Sequence, residues 1–403
     1  MAKLHFVKNA KFMKINTDKN KIEEILTRGV ENVYPNKDFL KKRLESGEQL
    51  TLYTGYDPTA PTLHIGHGIT LLKLRQFQEL GHKVIMLIGD FTGMIGDPTD
   101  KLTTRKQLTH DQVLKNAEDY KKQASAILDF DGNNPVEIKY NSKWLAEMKL
   151  SNFFELATRF TVPRLLERDM FQERFKGLTT IYLHEFLYPV MQAYDSVAMD
   201  VDGEVGGNDQ TFNMLVGRDL MKALRGKEKF VLTMKLLTDT TGKKMGKSEG
   251  NMVALSDSPE DMYGKVMAWP DEFIALGFEL CTRAAVPAKS AVEQEPMKYK
   301  KLLAFEIVKT FLGEKAAQAG QEHFAQVFQS KEKPVDMPEI KPSAYDVVTA
   351  LVEAKICTSR GDARRQIEQG GVKINDKKVS DLTAAVKKGD VVQKGSRFFV
   401  KIK

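Results

Sequence analysis

Cysteine is nearly absent: the 403 residues contain only Cys281 and Cys357, too few and too far apart for a disulfide scaffold or a cysteine-based zinc site. That scarcity predicts a reducing, cytoplasmic setting. No apolar run is long enough to span a bilayer, so no membrane helix is expected. A secretory signal is not expected either, because Lys3, Lys8, Lys11 and Lys14 interrupt the first residues before an apolar stretch can build. Internal repeats and low-complexity tracts are also missing. What the chain does have is a net charge of +7, unevenly placed. Residues 341–403 carry 14 Lys/Arg against 7 Asp/Glu, which leaves 47 of each sign in residues 1–340. A chain of this length exceeds one ordinary core, so more than one domain is expected.

The pattern along the chain divides it further. Residues 328–345 hold three prolines and many charges with little apolar period, and read as a linker close to the charge boundary. The first 50 residues alternate helical pattern with Lys-rich turns, like a leader packed on the main domain. From there to about Met245, β-rich runs at 50–54, 84–88 and 136–140 alternate with amphipathic runs at 69–80 and 113–128. Such alternation predicts βα units on a parallel sheet. Thr109-His-Asp-Gln112 has the spacing of a capping box that would start one long helix ending near Phe130. Residues 258–329 are helical in period.

Two segments carry chemistry. Leu52-Tyr-Thr-Gly-Tyr-Asp-Pro-Thr-Ala-Pro-Thr-Leu-His-Ile-Gly-His-Gly68 reads as a strand end, a Pro/Gly loop and a helix start. In open α/β sheets that crossing binds ligands, and a helix N-terminus attracts phosphate. His64 and His67 flank Gly66, so backbone can approach a nucleotide while both imidazoles reach its phosphates. A metal pair or two ordinary surface histidines are the alternatives, and no nearby cluster supplies the further ligands zinc requires. The second segment, Thr241-Gly-Lys-Lys-Met-Gly-Lys-Ser-Glu-Gly-Asn251, sets Lys243, Lys244 and Lys247 among small residues. Gly242 and Gly246 are one residue too close for a Walker A loop. It reads either as a solvated basic turn or as a mobile lid whose lysines meet polyphosphate charge as it builds up.

His-Ile-Gly-His followed by Lys-Met-Gly-Lys-Ser resembles the paired signature of class I aminoacyl-tRNA synthetases, with Gly246 where the family commonly has serine. Tyr188-Pro-Val-Met-Gln-Ala-Tyr-Asp195 is similar to the signature of the tyrosyl branch of that family. On a helix Tyr188, Gln192 and Asp195 share one face, and a plain amphipathic core helix is the competing reading. A buried Asp needs a partner, and a ligand's phenol is one. Val205-Gly-Gly-Asn-Asp-Gln210 resembles a further class I element, and residues 86–98, a strand running into a glycine loop, match the family closely.

Carried over position by position, the resemblance implies that Tyr53 and Asp195 contact a tyrosine hydroxyl. It likewise implies that Asp97, Tyr188 and Gln192 hold the α-ammonium, while Asp57 and Gln210 frame the amino acid. Thr59, His64, Gly66 and His67 would handle ATP, Gly55 and Gly207 would leave room for ribose and adenylate, and Asp209 would bond the ribose. Lys101, Arg105, Lys244, Lys247 and Ser248 would meet the pyrophosphate. ATP is the implied co-substrate, with Mg²⁺ bound mainly through its phosphates and no resident metal.

In the basic tail, Ser343-Ala-Tyr-Asp346 and Ser359-Arg-Gly-Asp362 each have the spacing that opens a helix. The second would carry Arg360, Arg364 and Arg365, followed by strands joined by basic turns that hold Lys377 and Lys378, with Lys373 in the first strand. Basic side chains unbalanced by acid are the electrostatic footprint of nucleic-acid binding. The order Ser-Arg-x-x-Ala-Arg-Arg-x-Ile then Gly-Gly-Val-x-Ile-Asn resembles an S4-like RNA-binding domain, which tyrosyl enzymes of bacterial type carry at this end and tryptophanyl relatives generally lack.

The expectation is an α/β chain: a Rossmann-like parallel-sheet catalytic domain over 1–235, a lysine loop and α-helical domain over 236–330, a linker over 331–342 and a small α+β S4-like domain over 343–403. The implied activity is a two-step tyrosine–tRNA ligation acting on L-tyrosine, ATP and tRNA, in a homodimer, without membrane or DNA. A tryptophanyl-type synthetase, a small-molecule adenylyltransferase and a non-catalytic RNA-binding protein are the competing readings.

Overall fold

Apolar runs that alternate with amphipathic ones pair into a single sheet in the computed structural model, which describes residues 14–97, 107–177, 179–238, 252–329, 337–395 and 398–403. Its strands are β1 (Val30–Tyr34), β2 (Thr51–Tyr56), β3 (Lys83–Ile88), β4 (Glu137–Tyr140), β5 (Gly203–Gly207) and β6 (Phe230–Met234), in the order β1-β6-β5-β2-β3-β4. β2 through β6 run parallel. β6 is buried throughout and β3 from Val84 onward, as strands covered on both faces should be. One departure from the expected parallel sheet comes from the leader, whose residues 30–34 add an antiparallel edge strand against β6. The chain moves outward from β2 to β4, then restarts at β5 beside β2 and moves the other way. That reversal opens a crevice at the carboxyl ends of β2 and β5.

The crossover helix Ile65–Glu79 buries Leu71, Leu74 and Phe77. Its Gly68 is required by packing, since a Cβ there would lie 2.6 Å from the Phe311 ring on the helix Pro296–Leu312. Helices Leu183–Met199 and Thr211–Arg225 flank β5 and share a core of Val190, Ala193, Val197, Val216, Leu220 and Met221. The capping box at Thr109 and Gln112 is present, with both reciprocal bonds. The single long helix expected after it is instead two short ones, His110–Ala117 and Tyr120–Ala124. The break accompanies a tertiary bond, from the Tyr120 hydroxyl to the Ala60 carbonyl at 2.7 Å, a contact no local period encodes.

Contacts divide the chain into two compact units, Met1–Gly320 and Gln321–Lys403. The helices from Pro259 to Leu312 therefore belong to the unit of the large sheet and do not form the separate body expected from residue 236. The second unit has a five-stranded sheet, β7 (Glu339–Ile340), β8 (Val372–Ile374), β9 (Lys377–Lys378), β10 (Val391–Lys394) and β11 (Phe398–Ile402), in the order β7-β11-β10-β8-β9. Helices Val347–Glu353 and Arg360–Glu368 close on it around Leu351, Ile367, Val392 and Val400.

Three local expectations change in this unit. Residues 339–340, assigned above to a linker, form β7 and pair in parallel with β11. Helix Val347–Glu353 is capped by Asp346, which accepts from the Thr349 amide at 2.8 Å, whereas Ser343 bonds Glu353. Lys377 and Lys378 lie in a strand, because the turn is made by Asn375 and Asp376 at φ 47° and 68°, two residue types that tolerate the left-handed region. Lys378 consequently sits directly opposite Lys373. Ser359 does cap its helix, accepting from the Asp362 amide at 3.1 Å. Among the described residues no helix is long and apolar enough to cross a membrane.

Candidate active site

A cavity of about 790 Å³ occupies the crevice where the strand order reverses. Tyr53, Gly55, Asp57, Thr59, His64, Gly66, His67, Asp97, Tyr188, Gln192, Asp195, Gly207, Asp209 and Gln210 all line it. Lys101, Arg105, Lys244, Lys247 and Ser248 lie outside the described residues. The described chain on either side of residues 239–251 nevertheless ends here. Leu236 and Leu237 line the cavity on the near side. On the far side the Ile65 amide bonds Val253 O and the Leu255 amide bonds Leu63 O, both at 2.9 Å.

One end of the cavity is built for anions. His64 is the N-cap of the crossover helix, and its Nδ1 accepts from the Gly66 amide at 3.1 Å. His67 Nδ1 accepts from the His64 amide, also at 3.1 Å, and the two rings stack with centroids 3.8 Å apart. A ring nitrogen that accepts carries no hydrogen, so each neutral imidazole bears its proton on Nε2 as a donor. Gly66 keeps the backbone low, since a Cβ there would come 2.9 Å from His64 Cε1. Two imidazole donors at a helix N-terminus suit a phosphate chain.

The other end is rich in carboxylates held by defined donors. Asp195 is buried and accepts from Trp144 Nε1 at 2.7 Å and Asn141 Nδ2 at 3.3 Å. Burial pushes its carboxyl well above the usual range, with Asp57 and Glu204 adding to the push. The Tyr53 hydroxyl lies 2.9 Å from Ser196 Oγ. Asp57 accepts from Thr92 Oγ1 at 2.7 Å and from the Tyr188 hydroxyl at 2.8 Å. Asp97 accepts from Arg168 Nη2 at 2.8 Å and from Gln210 Nε2 at 2.7 Å, so its charge is already countered by a guanidinium.

Asp209 is pushed up to about 6, chiefly by burial and next by Asp97. Its carboxylate form therefore dominates only above that pH. If it bonds a ribose, kcat/KM for ATP should fall as pH drops below about 6, approaching about tenfold per unit. Asp209→Asn should remove that limb, and a limb that survives in the variant would take Asp209 out of the ATP site.

Several groups that shape the cavity carry no motif. Trp144 and Asn141 follow β4, Arg168 lies between two short helices, and Ser196 and Glu204 follow the tyrosyl-like signature. Only Ser196 had a signal, its place one residue beyond Asp195.

Comparison with known proteins gives a consistent result. The sequence model of the family described as "tRNA synthetases class I (W and Y)" matches residues 45–329, and that of the "Tyrosine--tRNA ligase SYY-like C-terminal domain" matches residues 326–400. A tyrosine–tRNA ligase 2 of Clostridium acetobutylicum is 43% identical over 392 residues, covering 94% of this chain and 97% of that protein. The tyrosine–tRNA ligase of Haemophilus influenzae is 42% identical over 396 residues, covering 96% and 98%. Among solved structures, a C-terminally truncated mitochondrial tyrosyl-tRNA synthetase of Aspergillus nidulans superposes with a TM-score of 0.65 at 22% identity, covering 76% of this chain and 94% of its own. The tyrosyl-tRNA synthetase of Archaeoglobus fulgidus complexed with L-tyrosine gives 0.57 at 21%, covering 75% and 99%. These two likenesses speak to the fold.

Proposed function

Because this chain belongs to the class I tRNA synthetases of the tryptophan and tyrosine group, and within them to the tyrosine–tRNA ligases, we propose that the cavity between β2 and β5 is where tyrosine meets ATP. The enzyme activates L-tyrosine with ATP, releasing pyrophosphate, and passes the tyrosyl group to the 3′ end of its tRNA. The observation that carries the site assignment is Asp195. It is a buried acceptor lining the same cavity as the imidazole donors of His64 and His67, so in this reading a substrate with a phenol at one end and a carboxylate at the other reaches from one to the other.

In this reading the phenol rests against Asp195 and Tyr53, and Tyr188, Gln192 and Asp97 surround the α-ammonium, with Asp57 and Gln210 bracing them. The substrate carboxylate then faces the α-phosphate and attacks it. The reactants already supply nucleophile and leaving group, so the protein's task is positioning and stabilising charge. The Nε2 donors of His64 and His67 strengthen as charge moves onto the departing phosphates, and Lys244 and Lys247 join them there with Lys101, Arg105 and Ser248. Thr59, Gly55, Gly207 and Asp209 border the nucleoside. ATP enters as its magnesium complex, the cation carried by the phosphates. Among the described residues no group of three or more His, Cys, Asp or Glu could hold a metal.

The second unit is the tRNA handle. Arg364, Arg365, Lys377 and Lys378 are exposed, Lys373 is half-buried beside them, and Arg360 is exposed although one nitrogen bonds Thr349. The protein works as a cytoplasmic homodimer. Support for the dimer comes from Leu150, Phe154, Val162, Phe175 and Leu183, large apolar side chains exposed within one stretch of the first unit. Pyrophosphate exchange measured with each of the twenty amino acids tests the assignment. Tyrosine should stimulate it, and stimulation by tryptophan alone would overturn the reading of the amino-acid pocket.

A further inference from the structure

One buried ion pair beside the cavity has no part in the mechanism above. Lys229, the residue before β6, is fully buried, and its ammonium pairs with the Glu204 carboxylate and donates to Ser196 Oγ at 2.9 Å. Helix Thr211–Arg225 makes room for it with a glycine, since a Cβ on Gly217 would come 2.8 Å from Lys229 Nζ. Glu204 lines the cavity from β5, and its other oxygen accepts from Gln192 Nε2 at 3.1 Å.

An ionised carboxylate can only accept, so Glu204 must take the amino end of the Gln192 amide. The amide oxygen is then the end left for a ligand. It is buried and has no hydrogen-bond partner among the described residues, a costly state unless something binds there. An ammonium supplies the missing donor.

We propose that Lys229 and Glu204 are positioning residues, a pair that keeps the Gln192 amide turned so that its oxygen faces the α-ammonium of the substrate. The proposal rests on the reading of Gln192 as an ammonium ligand. Lys229 holds the Glu204 carboxylate in place, Glu204 fixes the amide, and the amide meets the substrate. Through Ser196 Oγ the same ammonium is linked to the Tyr53 hydroxyl, so the groups proposed for the phenol and for the α-ammonium both lean on one buried cation.

Lys229→Met leaves Glu204 to bind a proton. The acid can then donate as well as accept, and the amide is free to turn. In pyrophosphate exchange the tyrosine KM should rise about tenfold at neutral pH, the weight of one hydrogen bond to a charged group, with the ATP KM unchanged. Raising the pH should bring the tyrosine KM back toward the parent's value at the same pH, because the carboxyl left without its cation then loses its proton. Asp195, Tyr53 and Asp219 are the other titratable groups facing the pair, and all three are present in both proteins.

Lys229→Met/Glu204→Gln removes both buried charges and serves if the single variant does not fold. Its tyrosine KM should be raised about threefold or more and should not respond to pH. A parent-like tyrosine KM in either variant overturns the proposal, and so does a rise matched by the ATP KM and insensitive to pH, which marks general distortion. Gln192→Met separates the two claims. A raised KM there beside a parent KM in Lys229→Met overturns the pair's role alone, whereas a parent KM in Gln192→Met overturns the ammonium reading beneath it.

Discussion

His64→Asn should slow tyrosine-dependent pyrophosphate exchange by about 10² to 10³-fold while the tyrosine KM changes less than about twofold, the pattern of a donor used only in the transition state. Asparagine is chosen because His64 has two tasks. Its Nδ1 caps the crossover helix by accepting from the Gly66 amide, and asparagine, a strong N-cap, can place its amide oxygen there. What asparagine cannot supply is the Nε2 hydrogen on the far side of the ring. His64→Ala loses both, so it should match the asparagine variant in rate but unfold more readily, by about 1 kcal/mol. An asparagine variant with the parent's rate would make the ring a cap and nothing more.

A chain ended at Gln329 should keep parental pyrophosphate exchange and charge tRNA about 10²-fold less well or worse, because the phosphate contacts that supply most RNA affinity are gone. The family match for the catalytic part ends at residue 329. A cut at 341 is less informative, since β7 at Glu339–Ile340 is a strand of the second unit and would be left unpaired. Residues 1–340 are balanced in charge, so exchange should be less sensitive to salt than charging is. Equal charging by the shortened chain would mean that the basic unit is not the tRNA handle.

The alternation of strand and helix was legible because its two periods differ, and it located β2, β3, β4 and the helix Ile65–Glu79. The edge strand β1 was not, because Val30–Tyr34 is short and its partner β6 lies some two hundred residues away. Nor was the break at Glu118–Asp119, which goes with the Tyr120 bond to Ala60. The helix cap in the second unit moved from Ser343 to Asp346 because both residue types cap well, and the spacing cannot say which one the chain uses.

Those motif residues that are described, from Tyr53 to Gln210, line one cavity, yet the groups that orient them are silent in sequence. Trp144 and Asn141 reach Asp195 from beyond β4, and Arg168 reaches Asp97 across seventy-one positions. Glu204 and Lys229 look like ordinary surface charges until β5 and β6 bury them together. Motifs show which atoms a ligand could touch. The bonds that aim those atoms are long-range and follow no period.

The hairpin that sets Lys373 opposite Lys378 has a thermodynamic consequence. Like charges facing one another across two strands oppose folding, and the excess of basic residues over 341–403 adds repulsion on a larger scale. Added salt screens both, so this unit should become harder to unfold in the same solutions that would weaken its proposed hold on RNA. An RNA bound by this unit, as proposed above, would relieve the same stress as dissolved salt and compete with it.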